Sequence, residues 1–292
     1  MNAFILQAKP VGRIWGEGQR GDDGLPVGEW WLCSDYPARV TDVARGPARG
    51  LTIQDLMARY REDFWGEARA HERFPILVKQ LCPRFALPLQ VHPVEGRDRK
   101  NECWYVQTSG AGGWAISRWT GDDDVVARDL IGPNPATHLV RDVVTPGMLI
   151  TVPAGSLHAL GPEVVVLEIQ DTADVTLRVS LWEHAEWNLE LDVARATEEF
   201  LRMKSRPRVL QGTEREWIQQ NWKVRIEMAE TIRLDPQVPT VVLNGHQIPW
   251  QFSWMRDTQL VDGLEALLIL PGQSMVIESL GKACDWLVCE AR

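Results

Sequence analysis

Seven short apolar or alternating runs follow one another between residues 75 and 182: PILVKQL, LPLQVHP, CWYVQ, GWAISRW, MLITVP, VVVLEIQ and VTLRVSLW. Gly, Pro and Asp interrupt them at intervals that suit turns, and each run is too short for an ordinary helix. A chain with this pattern is mainly β, its hairpins packed as a sandwich or barrel. Helical periodicity is confined to Thr52–Phe64, with Leu56, Tyr60 and Phe64 on one stripe, and to Asp192–Met203. Both read as amphipathic surface helices. Beyond about Val209 the charged stretch TEREWIQQNWKVRIEMAE leads into TVVLNG, EALLILPG and DWLVCEA, a second and smaller β unit. The expected division is therefore residues 1–205 and 206–292.

Composition narrows the function classes. With 292 residues, 45% hydrophobic and 24% charged, the chain can bury a substantial core, which excludes disorder, collagen and small disulfide scaffolds. A net charge of −9 without any run of Lys or Arg argues against nucleic-acid binding. The apolar patch Ala3–Leu6 ends at Lys9 and Pro10, too short for a signal peptide, and no later stretch approaches a membrane span. Five scattered cysteines without a Cys-x-x-Cys pair suit reduced thiols, and a cytoplasmic location is expected. The fourteen tryptophans read as large core filler in a β-rich protein.

Chemistry concentrates first in GMLITVPAGSLH, Gly147 to His158. Gly147 turns the chain into a strand, Pro153 and Gly155 make a tight turn at its end, and His158 restarts on an inward face. The segment resembles the second motif of the cupin barrel, with Pro162 at the final, usually polar, position. In LPLQVHP, Gln90 and His92 are two apart and share one face of a strand. Glu102 follows ten residues later, and a hairpin would set it opposite that pair. Two imidazoles, a carboxylate and an amide oxygen suit a borderline divalent ion such as zinc, with room left for water or substrate. His71, His138, His184 and His246 lack such company and read as surface or structural residues. Glu168 stands on the same face as Val164 and Val166, where an unpartnered carboxylate would cost several kcal/mol, so a charge partner or a functional role is implied. Asp174 and Arg178 follow it, and an ion pair of Arg178 with Asp174 or Glu168 is the plain structural expectation.

Taken together, IWG, GEWWLCSDYP, GPARGLTIQDL, FPILVKQL, QVHP, KNECWYV, VPAGSLHALGP, LEIQ and DVTLRV resemble, in order and spacing, the short bacterial form of the phosphomannose isomerase (mannose-6-phosphate isomerase) family. The resemblance covers roughly residues 5 to 200. It implies a cupin fold (a double-stranded β-helix, or jelly-roll barrel) with a few surface helices and a C-terminal degenerate cupin-like unit. It implies one zinc ion per chain on Gln90, His92, Glu102 and His158, and a catalytic pocket formed by Lys100, Glu168, Asp174 and Arg178. The implied reaction interconverts mannose 6-phosphate and fructose 6-phosphate, with a small-molecule sugar phosphate as partner and a monomer or homodimer as the assembly. A noncatalytic sugar-binding or regulatory cupin, or an isomerase or epimerase for a different sugar, is the alternative. Two departures from the family pattern are expected near the substrate mouth. TLRVSL stands for Thr-Tyr-Arg-Val-Tyr-Asp, changing Leu177, Ser180 and Leu181, and the loop Pro93–Asn101 is short. A phosphate also calls for local cations, for which Lys79, Arg99, Lys100 and Arg178 are the candidates.

Overall fold

Each of the seven runs forms a strand: Ile76–Leu81, Leu89–Val91, Glu102–Ser109, Trp114–Trp119, Leu149–Val152, Val164–Asp171 and Leu177–Ser180. The computed structural model describes residues 3–65, 73–182, 184–210, 214–246, 248–254, 257–272 and 274–292, so His71 lies outside the described residues. The expected helix at 52–64 is two, Ile53–Arg59 and Arg61–Trp65, because Tyr60 leaves helical geometry at φ −117° and ψ 38°. The other expected helix runs Val193–Met203 and stops at Lys204 in the left-handed region. A further helix, Asp123–Ile131, buries Val126, Ala127 and Leu130, the spacing of one helical face. Its sequence signals are the acidic first turn and the Gly132 stop, within a segment read above as lacking helical period.

Contacts divide the chain into two compact units, one of Met1–Lys9, Trp30–Lys79 and Gly212–Arg292, the other of Pro10–Glu29 and Gln80–Gln211. The expected cut at 205/206 thus falls short of the observed one, and the unit containing the C-terminus also takes in two N-terminal segments. Pairing explains the first of them. Ala3–Leu6 runs antiparallel to Ala266–Ile269, from Ala3↔Ile269 to Leu6↔Ala266, and every residue of that short apolar patch is buried. In this unit a six-stranded and a four-stranded sheet enclose Trp250, Phe252, Leu267, Ile277 and Trp286.

The other unit is a sandwich whose construction places the functional residues. In one layer Glu102–Ser109 lies between Leu149–Val152 and Val164–Asp171, antiparallel to both. In the other layer Leu177–Ser180 pairs with Leu89–Val91, an isolated bridge joins Gln90 to His158, and Ala159–Leu160 pairs with Trp114–Trp119. Alternation sorts the side chains. Leu89, Val91, Leu157, Ala159, Leu177 and Val179 pack with Val126, Leu130 and Phe200 of two helices on the outside. Trp104, Val106, Ile150, Val152, Val164 and Val166 pack with Ala115 and Leu160 inside. The intervening positions Gln90, His158 and Arg178 therefore share the inner face of their layer, and Glu102 and Glu168 continue the inner rows of theirs.

Candidate metal centre

The interior of the sandwich is apolar toward one end of the strands and polar toward the other. Glu102 begins the row that continues through Trp104 and Val106, while Glu168 and Gln170 finish the row begun by Val164 and Val166. The expected hairpin between Leu89–Val91 and Glu102–Ser109 does not form. The two strands lie in different layers, and Glu102 meets His92 across the interior. The Pro93–Asn101 connection passes between the layers, held by Lys100 N donating to Pro93 O at 3.2 Å and by Asn101 N and Nδ2 donating to Asp171 Oδ2 at 3.0 and 2.9 Å. Asn101 Oδ1 in turn accepts from Ala154 N at 3.1 Å, tying the loop to the turn before His158. Gly155 in that turn has φ +78°, and a Cβ there would stand 2.8 Å from Val94 Cγ1. The turn therefore requires glycine on two counts.

His92, Glu102 and His158 are fully buried, with one potential ligand atom from each lying within 4.8 Å of the others. His92 Nε2 is 3.1 Å from Glu102 Oε2, and His158 Nε2 is 3.4 Å from Glu102 Oε1. Both Nδ1 atoms are taken up by backbone carbonyls, of Val175 at 3.0 Å and of Ser156 at 2.8 Å. Donation to a carbonyl fixes each ring in the tautomer whose Nε2 lone pair faces the shared space. The Gln90 amide reaches the same His158 Nε2 at 3.1 Å. Both Glu102 oxygens are buried, with Lys100 Nζ 2.7 Å from Oε2. A carboxylate buried this deeply is costly unless cations surround it. Two imidazole nitrogens, an amide and a buried carboxylate fit a single divalent ion of the zinc type.

Charge state supports the same use. Burial, then the neighbouring His92, pushes His158 down to about 3. His92 is lowered as well, by burial and by Lys100. Burial works to raise Glu102, but Lys100, His92 and His158 outweigh it and hold the carboxyl well below its usual range. At neutral pH the three therefore present the unprotonated forms that a metal takes. In the metal-free protein all three folded values lie below the unfolded ones, so their contribution is complete above about pH 6.5 and is lost on acidification. The melting temperature of metal-free protein should fall by roughly 5 °C or more between pH 7 and pH 5. A flat or rising profile by differential scanning calorimetry would contradict this burial.

Around the cluster, Lys100 Nζ stands 3.1 Å from His92 Nε2, 2.7 Å from Glu102 Oε2 and 3.8 Å from Glu168 Oε1. Glu168 also accepts from Trp104 Nε1 at 3.2 Å, so the acid in the apolar row has the partners its burial demands. Arg178 is paired in register with Gln90 and forms no ion pair among the described residues, neither with Glu168 nor with Asp174. Asp174 instead meets Arg13 Nη2 at 3.5 Å. Arg13 also donates through Nε and Nη2 to Glu29 at 2.8 and 2.9 Å. Its pKa is raised: burial opposes the charge, and Glu29, Asp174 and Asp23 more than offset it. Sequence reasoning assigned no role to Arg13, which directly precedes IWG, and Glu29 entered only as the acid within GEWWLCSDYP.

The remaining candidates separate. Arg99 is 3.5 Å from Asp171. Lys79 belongs to the other unit, where it lies 4.7 Å from the centroid of the Trp31 ring. The departures in TLRVSL are less concentrated near the mouth than the sequence suggested, because Leu177 packs outward with the helices, Leu181 is buried, and a register shift after Arg178 pairs Ser180 with Leu89. His138 pairs with Asp129, His184 stacks on Trp187 at 4.3 Å, and His246 is largely exposed.

Residues 17–106 match the family described as phosphomannose isomerase type I, catalytic domain, a span that takes in Gln90, His92, Lys100 and Glu102. The chain is similar to the phosphomannose isomerases. Mannose-6-phosphate isomerase of Streptococcus mutans is 32% identical over a stretch covering 60% of each chain, so the match spans about three fifths of that relative's length. The crystal structure of mannose 6-phosphate isomerase from Bacillus subtilis superposes with a TM-score of 0.82 at 21% identity, covering 99% of this chain and 100% of that one. A zinc-bound mannose 6-phosphate isomerase structure aligns over the full length of both chains with a TM-score of 0.72 at 12% identity. The mainly β architecture is thus the fold of the phosphomannose isomerase structures. No helix among the described residues is long and apolar enough to cross a membrane.

Proposed function

We propose that this chain is a zinc-dependent aldose–ketose isomerase that interconverts mannose 6-phosphate and fructose 6-phosphate. One observation carries the reading: His92, Glu102 and His158 converge, buried and unprotonated, at the polar end of a sandwich interior, with one ligand atom from each within 4.8 Å of the others. Gln90, His92, Glu102 and His158 would hold the ion. When bound, zinc supplies Lewis acidity toward the negative charge that grows on a sugar oxygen.

The remaining steps fall to the protein's own groups. The open-chain aldose must lose the proton on C2 and gain one on C1, while a hydroxyl proton passes from O2 to O1. Of the two candidate carboxylates, Asp174 is a quarter exposed and Glu168 is buried between Trp104 and Lys100. We assign the carbon proton to Asp174 and assign Glu168 to holding the Lys100 ammonium. Arg178, on the inner face beside Gln90, offers a permanent cation to the enediolate oxygens and to the incoming anion. The cysteines among the described residues are all free thiols, in keeping with a cytoplasmic enzyme, and we propose a monomer or homodimer acting on a small sugar phosphate.

Dialysis against a chelator is expected to abolish conversion of mannose 6-phosphate in an assay coupled to fructose 6-phosphate consumption, and stoichiometric zinc is expected to restore it. A metal-free preparation with full turnover would remove this reading.

A further inference from the structure

Arg13 follows the strand Lys9–Gly12 and has no place in the chemistry above, yet it makes ion pairs with two acids on different segments, Glu29 and Asp174. Glu29 is buried and takes the guanidinium in a fork, Nε to Oε1 at 2.8 Å and Nη2 to Oε2 at 2.9 Å. A forked pair fixes the plane of the guanidinium as well as its position. The same Nη2 faces Asp174 Oδ2 at 3.5 Å. Asp174 belongs to the short link between the strands Val164–Asp171 and Leu177–Ser180, and the next residue in that link, Val175, supplies the carbonyl that holds His92 Nδ1 at 3.0 Å. One link therefore carries both the carboxylate beside the site and the oxygen that sets a histidine's tautomer.

We infer that the Glu29–Arg13 pair is a brace for residues 172–176, positioning the Asp174 carboxylate and keeping the Val175 carbonyl against His92. Arg13 is a positioning residue here, acting through Asp174 and touching no reacting atom. The inference rests on the isomerase reading for its effect on turnover, and on geometry alone for its effect on the link. A side chain held by two acids on different segments transmits order from one to the other, because the buried Glu29 end cannot follow if the link moves. Lysine at position 13 would keep a point charge while losing the fork, so it should act as a partial substitute.

Three measurements on the full-length protein test the brace. Amide hydrogen exchange read by mass spectrometry should rise about tenfold across residues 172–176 in Arg13→Ala, with the strand Glu102–Ser109 unchanged. Unchanged exchange in the link overturns the proposal, whether or not the protein proves to be an isomerase. The kcat for mannose 6-phosphate should fall roughly 10- to 100-fold in Arg13→Ala, the range found for groups that orient a metal site's ligands. KM should move less, and Arg13→Lys should recover part of the loss. A cycle with Asp174→Asn closes the test: once Asp174 is neutral, Arg13→Ala should cost little further, whereas full additivity would show that the two act separately. Wild-type protein with bound zinc and no turnover would defeat the isomerase reading and leave the exchange result to decide the brace.

Discussion

His158→Ala is expected to leave the protein without stoichiometric zinc and to lower mannose 6-phosphate turnover by roughly three orders of magnitude, corresponding to about 4 kcal/mol of lost transition-state stabilisation. The size follows from where His158 stands. Its Nε2 faces Glu102 and the Gln90 amide, its Nδ1 is fixed by Ser156, and no described group replaces it on the strand that begins at Ala159. Removing a fully buried ring also leaves a cavity, so alanine should destabilise the fold as well. His158→Gln keeps most of the volume and separates the two effects: a folded protein with normal secondary structure and little zinc. Metal analysis by mass spectrometry beside the coupled assay reads both, and unchanged zinc in either variant would contradict the assignment of this ligand.

Arg178→Ala should act on chemistry and spare both metal and fold. Its side chain is partly exposed and carries no ion pair among the described residues, so its loss should change stability by no more than about 0.5 kcal/mol. Turnover is another matter, because on the proposed reading a permanent cation on the inner face beside Gln90 would meet the charge that develops on the enediolate. Loss of one such donor typically costs about 10²- to 10³-fold in kcat. Arg178→Lys should recover only part of that, since an ammonium keeps the charge and not the planar fork. Full zinc content with kcat reduced 10²-fold or more is the expected pattern. A variant with unaltered kcat would move the electrostatic role elsewhere, with Lys100 the next group to test.

Much of the site was legible because it is local. The two-residue spacing of Gln90 and His92 fixes their shared face in any strand, and the Pro153–Gly155 turn before His158 needs no distant partner to be recognised. The inward position of Glu168 followed from alternation alone, and the structure supplies the partners that its burial requires, Lys100 and Trp104. The layer pairing was not legible. The nine residues separating His92 from Glu102 suit a hairpin and a crossing between layers equally well, and the choice is made by Leu177–Ser180, which takes up one edge of Leu89–Val91. The sorting of Ala3–Leu6 depended likewise on a partner strand near the far end of the chain, Ala266–Ile269. The part played by Arg13 and Glu29 was hidden for the same reason, because the ion pairs linking Glu29, Arg13 and Asp174 leave no period or spacing in the sequence.

The central claim is that Gln90, His92, Glu102 and His158 surround one cation inside the sandwich. Crystals grown with zinc and measured on both sides of the zinc absorption edge test it most directly. A single anomalous peak per chain within about 2.3 Å of His92 Nε2, His158 Nε2 and a Glu102 oxygen is the predicted result. A peak elsewhere, or none beside these three side chains at full zinc loading, would contradict it.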